Sequence, residues 1–286
     1  YTKTRQYVAP AVPPPMAPDQ KVTRERLENW LKEGSDLNQE LANGVLAADV
    51  ERIKFLVERG ADPNKRDSQG YAPLHSAARN RNDAVLTALL ALKADVKAID
   101  QDGFTPLHHA VLRNHAPSIA VLAAAGADIE ARTKDGFTPL ALAIIEDQYK
   151  AAMALIEAKA PVETTVGDVK LTALMLAAGK EMRRLTLGAG VSRVEKWDPK
   201  DPGPIEVAEA LLKRGANVNA VSTSGVSALL LAAAHNNAPI VGLLVESGAD
   251  RNFRNTDGKT ASDVAAQNGN NAVVSLLKLL DGANNN

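Results

Sequence analysis

The apolar residues of this chain recur at helical spacing in short blocks, and the same polar phrases begin and end each block. The opening phrase reads Gly-Phe-Thr-Pro-Leu-His-His-Ala in residues 103–110, and related phrases begin at Gly70 and Gly136. The closing phrase reads Gly-Ala-Asp-Pro-Asn in residues 60–64 and recurs further along the chain. Both phrases keep a step of 33 residues in fixed phase. Such self-similarity at a constant period indicates a repeat protein.

Each block predicts two helices followed by an extended finger. Thr105 precedes Pro106, which is the order of an N-cap residue and a first helical residue. A second apolar segment such as 84–92 predicts the paired helix, and a Gly or Lys follows where that helix must end. One helix pair cannot bury its apolar face alone, so neighbouring blocks must stack.

This pattern resembles the ankyrin repeat, with its Gly-x-Thr-Pro-Leu-His-x-Ala-Ala opening and its Gly-Ala-Asp-x-Asn close. The resemblance covers residues 39–286 and implies an all-α ankyrin-repeat solenoid of helix-turn-helix units with finger hairpins. Spacing of the two phrases gives seven units: 39–65, 66–98, 99–131, 132–164, 165–220, 221–253 and 254–286.

The ends of the array are predicted to differ from its middle. Residues 1–22 form a Pro-rich stretch that favours an extended tail, because proline fixes φ and removes amide donors. Residues 23–38 are expected to form an N-terminal capping helix, with Trp30 packing on the first full unit. Polar residues at 260–263 suit a C-terminal capping unit that faces water.

The fifth unit contains an insertion at about residues 181–202. It includes Arg183, Arg184 and Trp197, and it must leave the array between the two helices of its unit. Insertions in repeat proteins map to loops on one face and often bind partners. Partner contact and a loop packed on its own chain both remain open.

Composition argues against most kinds of chemistry. The chain has no cysteine, 33 basic and 34 acidic residues and a net charge of −1, and 49 of its 286 residues are alanine. No thiolate metal site, no apolar run long enough to span a bilayer and no basic excess for nucleic acid is present. His75 and His108 occupy the Thr-Pro-Leu-His position, where the resemblance implies hydrogen bonds between repeats. No catalytic motif is recognisable, so we expect no enzyme, no metal, no cofactor and no small-molecule substrate.

The resemblance implies a partner-binding site on the concave face, formed by finger tips and first helices. Tyr71, Phe104 and Phe137 occupy one repeat position in three consecutive units. They predict either an aromatic stripe for a partner or aromatic packing between fingers. The polar residues predicted to complete the site are Arg66, Gln69, Arg79, Gln101, His109, Arg113, Arg132 and Lys134.

Function is therefore expected to be a non-catalytic protein–protein interaction scaffold. The Cys-free, Ala-rich composition is similar to that of exported ankyrin proteins of Gram-negative bacteria, which implies an accessory or regulatory subunit that binds one or more proteins, a periplasmic enzyme complex among them. A protective, immunity-type inhibitor and a host-directed effector are the alternatives. A periplasmic or otherwise exported location is expected, with the cytoplasm as the alternative.

Overall fold

The computed structural model describes residues 23–179 and 202–283. They belong to two compact units, which we call the N-terminal unit (23–134) and the C-terminal unit (135–179 with 202–283). The predicted tail 1–22 lies outside the described residues, and so does the predicted insertion except for its last residue, Pro202. Both units are built from pairs of short helices.

The N-terminal unit contains seven helices. In chain order they are α1 (Arg24–Lys32), α2 (Leu37–Leu46), α3 (Val50–Glu58), α4 (Pro73–Arg79), α5 (Asp83–Ala91), α6 (Pro106–Leu112) and α7 (Ala116–Ala124). The first helices of successive pairs, α2, α4 and α6, pack side by side. The second helices, α3, α5 and α7, form a parallel row behind them. Stacking of successive pairs therefore follows the sequence repeat.

The C-terminal unit continues the same pattern and adds a short hairpin. Its described elements are α8 (Pro139–Ile145), α9 (Tyr149–Glu157), β1 (Thr165–Val166), β2 (Leu171–Thr172), α10 (Ala173–Ala178), α11 (Pro204–Lys213), α12 (Ala228–Ala234), α13 (Ala238–Glu246), α14 (Ala261–Gln267) and α15 (Asn271–Ala283). The two strands pair antiparallel. Helix α10 packs against α11, and the predicted insertion lies between these two helices in the sequence.

Helices α6 and α8 begin where the Thr-Pro signal predicts. The Thr105 hydroxyl accepts the His108 backbone N–H at 3.4 Å, and His108 Nδ1 accepts the Thr105 N–H at 3.2 Å. Pro106 then occupies the first turn, where its missing N–H costs nothing. The Thr138 hydroxyl likewise accepts the Ala141 backbone N–H at the start of α8. The predicted helix starts are confirmed at these positions.

The second helices end at residues in the left-handed region of backbone conformation. Gly60 and Gly126 have φ values of 101° and 86° after α3 and α7. Lys93 occupies the same place after α5 with φ of 64°. A left-handed conformation suits glycine and strains a residue that has a Cβ atom. Helix termination is therefore set by position in the repeat, even where the residue is not glycine.

Small residues on the first helices allow the close stacking. Ala77 and Ala78 on α4 and Ala110 on α6 are completely buried where these two helices pack together. Larger side chains such as Leu86 and Ile119 fill the space behind them on the second helices. The high alanine content is thus explained by close helix–helix contacts, in which few aromatic rings take part.

The N-terminal helix α1 covers the first full helix pair. Its Leu27 side chain is buried, and the Arg52 guanidinium of α3 lies 5.7 Å from the centroid of the Trp30 ring. Arg52 is itself buried and forms an ion pair with Glu40 of α2. The predicted packing of Trp30 is therefore observed, and the buried ion pair was not predicted.

Helix α2 begins slightly before residue 39, where the first unit was expected to start. It starts at Leu37 because the Asp36 carboxylate accepts the backbone N–H groups of Asn38 and Gln39, at 2.8 and 2.9 Å. An aspartate N-cap thus replaces the missing Thr-Pro signal in this unit.

Candidate partner-binding surface

An aspartate at the start of each of two fingers fixes the turn in the N-terminal unit. Oδ1 of Asp100 accepts the backbone N–H groups of Asp102 and Phe104, both at 2.9 Å. Asp67 does the same for the preceding finger, accepting from Gln69 and Tyr71. Asp100 and Asp67 thus each fix the turn of their finger.

Neighbouring fingers are hydrogen-bonded to one another. The Gln101 side chain donates from Nε2 to the Ser68 carbonyl at 2.7 Å, and the Lys134 backbone N–H donates to the Asp102 carbonyl at 3.0 Å. A Cβ atom built on Gly103 would lie 2.9 Å from the backbone nitrogen of Lys134. Glycine is required there because the next finger approaches so closely. These contacts hold three successive finger tips in fixed register.

Aromatic rings pack where each finger joins its first helix. The Tyr71 ring centroid lies 5.2 Å from that of His109, and Phe104 lies 5.6 Å from His108 and 5.7 Å from His109. Tyr71 is only 9% exposed, and Phe104 is half-buried. These contacts support the packing interpretation of the aromatic position. In the C-terminal unit Phe137 is likewise only 9% exposed.

The His109 side chain is buried rather than exposed to solvent. It is 2% exposed, and its Nε2 lies 2.8 Å from Oδ2 of Asp100. It was predicted to complete the partner-binding site, but the structure buries it against the finger residue Asp100. A partner therefore finds almost no His109 surface, and a binding role for this residue stays a prediction.

Burial sets the protonation of this histidine cluster. Burial, with the nearby charge of His109, lowers the pKa of His75 from 6.5 to about 4. Burial also lowers the pKa of His109, although its hydrogen bond to Asp100 opposes the shift. Burial raises the pKa of Asp100, but the hydrogen bond and charge of His109 and the finger N–H groups outweigh this and lower it. His75 and His109 are therefore neutral near pH 7.

The neutral form of His75 is the one that joins two repeats. Its Nδ1 accepts the Ala72 N–H at 3.0 Å, which leaves the proton on Nε2, 3.2 Å from the Phe104 carbonyl. Ala72 belongs to the same repeat and Phe104 to the next. The inter-repeat hydrogen bond expected for His75 is confirmed.

Polar side chains remain accessible around this packed cluster. We call the face formed by them the finger–helix surface, and its members in the N-terminal unit are Arg66, Gln69, Arg79, Gln101, Arg113, Arg132 and Lys134. All are exposed except Arg79, which is half-buried with its guanidinium 5.4 Å from the Tyr71 ring centroid. The structure thus places seven of the predicted residues around the finger tips and first helices of one unit. Arg183, Arg184 and Trp197 lie outside the described residues.

Two other kinds of site are absent from the part of the chain that the structure describes. Across 23–179 and 202–283, no three His, Asp or Glu side chains are grouped so that they could hold a metal ion. No helix in the same ranges is long and apolar enough to cross a membrane.

The Asp100–His109 pair and the two inter-finger contacts were not predicted. The finger turn uses only one of the two carboxylate oxygens of Asp100. The second oxygen meets a histidine nine residues later, at a repeat position next to the structural His108. An acidic turn residue followed by a histidine at that place is the signal that could have identified the pair.

Comparisons with known proteins agree with the repeat architecture. The family model "Ankyrin repeats (3 copies)" matches residues 41–133 and 200–286. Among curated proteins, human transient receptor potential cation channel subfamily A member 1 is 39% identical over 72 residues, which cover 25% of this chain and 6% of that protein. Human ankyrin repeat domain-containing protein 39 is 38% identical over 58 residues, covering 20% of this chain and 32% of that protein. The chain therefore matches less than two thirds of either relative.

Solved structures share the fold. The ankyrin repeat domain of Bcl-3 superposes with a TM-score of 0.68 at 24% identity, covering 86% of this chain and 99% of that one. The human ASB11 ankyrin repeat domain gives a TM-score of 0.63 at 23% identity, covering 86% and 97%. At these identities the likeness concerns the fold alone. Ankyrin repeats generally act as protein–protein interaction scaffolds. Because the family model matches more than half of the sequence, this chain belongs to the ankyrin repeat family.

Proposed function

We propose that this chain is a non-catalytic scaffold that holds a partner protein on the finger–helix surface. The observation that carries this proposal is the contrast between the exposed side chains of that surface and the buried side chains beneath it. Tyr71, His75 and His109 are buried beneath it, while Gln69 and Arg113 are exposed beside them. A rigid support with accessible arginine and amide groups is suited to protein recognition, since binding then costs little ordering of the scaffold.

The fixed register of the fingers supports the same proposal. Hydrogen bonds join Gln101 to the preceding finger and Lys134 to the finger before it, so adjacent tips cannot shift independently. A partner that contacts several tips meets a preorganised surface. Preorganisation raises affinity by reducing the entropy lost on binding.

Site-specific photocrosslinking tests this proposal. A photoreactive residue replaces Gln69 on the finger–helix surface in one variant and Thr87 on the second helix α5 in a matched control. Both positions are exposed. In extract from the source cells we expect a discrete partner adduct from position 69 and none from position 87. Adducts from position 87 alone, or equally from both positions, would contradict the proposed surface.

For the cellular role we propose an accessory or regulatory subunit. Mass spectrometry of the position-69 adduct identifies the partner, and gel filtration of the two purified proteins tests whether they form a stable complex. Inhibition of the partner's own activity on mixing would instead support a protective inhibitor. A partner from a host cell would support an effector role.

We also propose an exported, periplasmic location. The absence of cysteine from all 286 residues supports it, because stray thiols are a hazard in an oxidising compartment. Fractionation of the source cells, with detection by an antibody against the purified protein, tests it. Recovery in the cytoplasmic fraction would overturn this location.

A further inference from the structure

Two arginines of the finger–helix surface lie at the C-terminal ends of neighbouring first helices, Arg79 as the last residue of α4 and Arg113 as the C-cap of α6. Arg79 follows His75 by four residues on α4, and Arg113 follows His109 by four residues at the end of α6. Residues four apart share one face of a helix. Because the His75 and His109 rings lie 5.5 Å apart, the two arginines lie on the same side of this unit, one turn further along.

Two nearby carboxylates are already committed to the fold. Asp67 and Asp100 each accept two finger N–H groups, and Asp100 also accepts from His109. Within the described ranges, neither Arg79 nor Arg113 forms an ion pair. The arginine pair therefore keeps its capacity for carboxylates of another molecule.

The Tyr71 ring orients one member of this pair. Its face lies 5.4 Å from the Arg79 guanidinium, and the ring is held in turn against His109. Stacking of this kind restrains a flexible arginine before a ligand arrives. Arg66 and Lys134 add positive charge on the two outer fingers of the three. The exposed carboxylate of Asp102, on the middle finger, partly offsets that charge.

We propose that the finger–helix surface binds an acidic, extended segment of a partner protein, whose carboxylates pair with Arg79 and Arg113. This inference rests on the proposed function and names the chemistry of its partner. Guanidinium groups bind carboxylates through two parallel hydrogen bonds, which gives direction as well as strength. Nucleic acid is the less suitable occupant, because the chain has a net charge of −1 and no excess of basic residues.

Fluorescence anisotropy with defined probes tests the proposal on the full chain. The probe is a labelled peptide of alternating Glu and Gly, compared with a Gln-Gly peptide of equal length and a labelled oligouridine. We expect the Glu-Gly peptide to bind, with an affinity that falls as salt rises. The Gln-Gly peptide and the oligouridine are expected to bind at least about tenfold more weakly.

Matched variants locate the binding site. Arg79→Gln combined with Arg113→Gln is expected to weaken Glu-Gly binding about tenfold or more, since both carboxylate partners are lost. Lys54→Gln combined with Lys213→Gln removes the same charge from exposed second-helix positions and is expected to leave binding unchanged. A melting curve of each variant confirms that it is folded.

The outcomes separate this inference from the proposed function. Absence of Glu-Gly binding, equal binding of the Gln-Gly peptide, or an undiminished affinity of the arginine variant would overturn the acidic partner. Preferential binding of the oligouridine through the same arginines would overturn it as well. The crosslinking experiment tests the scaffold separately. A position-69 adduct with a partner protein would support the scaffold even if the Glu-Gly peptide does not bind. Absence of that adduct would overturn the scaffold even if the Glu-Gly peptide binds.

Discussion

Nε2 of His109 lies 2.8 Å from Oδ2 of Asp100, and both side chains are almost completely shielded from solvent. The bond joins the first helix of a repeat to the start of its own finger. Since Asp100 also holds the finger turn, one carboxylate links the turn, the helix and the aromatic cluster around Tyr71 and Phe104. Substitutions in this cluster are therefore expected to lower the stability of the fold rather than to alter the exposed finger–helix surface.

Acidification is expected to destabilise the protein through His75. Its folded-state pKa of about 4 lies below its ordinary 6.5, so the unfolded chain binds the proton more readily between these values. Stability is therefore lost as pH falls from about 6.5 to about 4, by roughly 3 kcal/mol at about 1.4 kcal/mol per pKa unit. The lowered pKa of Asp100 acts in the same direction at still lower pH. Urea unfolding at a series of pH values measures the loss.

The variant His75→Asn isolates this contribution. Asparagine cannot reach both the Ala72 N–H and the Phe104 carbonyl, so the variant is expected to be less stable than wild type at pH 7. Its stability should nevertheless vary less between neutral and acidic pH. A pH dependence equal to that of the wild type would assign the effect to other groups.

Truncation of Phe104 distinguishes the two interpretations of the aromatic position. Its ring contacts those of His108 and His109, so Phe104→Ala is expected to lower the free energy of unfolding by about 2 kcal/mol. Phe104→Leu keeps much of the apolar volume and is expected to cost less. Denaturant titration measures both variants. An unchanged stability together with weaker partner binding would instead favour an aromatic stripe for the partner.

Two glycines separate backbone strain from steric clash. Gly103 and Gly258 have similar φ values, 79° and 73°. A Cβ atom at Gly103 meets the next finger at 2.9 Å, whereas one at Gly258 meets nothing within 4 Å. Gly258→Ala is expected to cost about 1 kcal/mol from strain alone, and Gly103→Ala at least about 1 kcal/mol more. Equal losses of stability for the two variants, measured by thermal unfolding, would show that the neighbouring finger moves aside at no cost.

A stabilising substitution follows from hydrogen bonds between successive fingers. Oδ1 of Asn64 accepts the Asp95 N–H at 2.7 Å, and Oδ1 of Asn219 accepts the Asp250 N–H at 2.8 Å. Lys97 stands 33 residues after Asn64, and its side chain carries no acceptor for the corresponding N–H group. Lys97→Asn is expected to stabilise the protein by about 1 kcal/mol.

The reverse substitution, Asn64→Lys, serves as the control for that prediction. It should lower stability by a similar amount, because it removes an observed hydrogen bond. Both are compared by urea unfolding at raised salt, so that the change in charge contributes little. A neutral or destabilising effect of Lys97→Asn would show that the Asn64 geometry does not transfer along the array.

Local signals in the sequence predicted the helices well. Thr105 and Pro106 determine where α6 starts, and the residues at 60, 93 and 126 determine where second helices end. These features act within a few residues, so one sequence is enough to identify them. The start of α2 was misplaced because Asp36 provides a cap that the repeat phrase does not contain.

Contacts between separate helices and fingers were less predictable. The position of His109 on an inner face follows from helical periodicity, but its burial depends on where the finger lies. The Arg52–Glu40 pair likewise joins side chains from two helices. Such arrangements depend on packing distances that a residue pattern does not specify. Exposure at the predicted Gln69, Gln101 and Arg113 positions agrees with periodicity, while partner binding there is for experiment to decide.

The hydrogen bonds between fingers also fix the spacing at which a bound ligand can contact successive repeats. Stacked helices stand about 8–10 Å apart, and a polyproline II segment rises about 9 Å in each three-residue turn. A ligand in that conformation, lying across the N-terminal unit, would present one side chain to each repeat that it contacts without stretching or bending. Every third residue of such a ligand would then carry the recognition, and the residues between them would be free to vary.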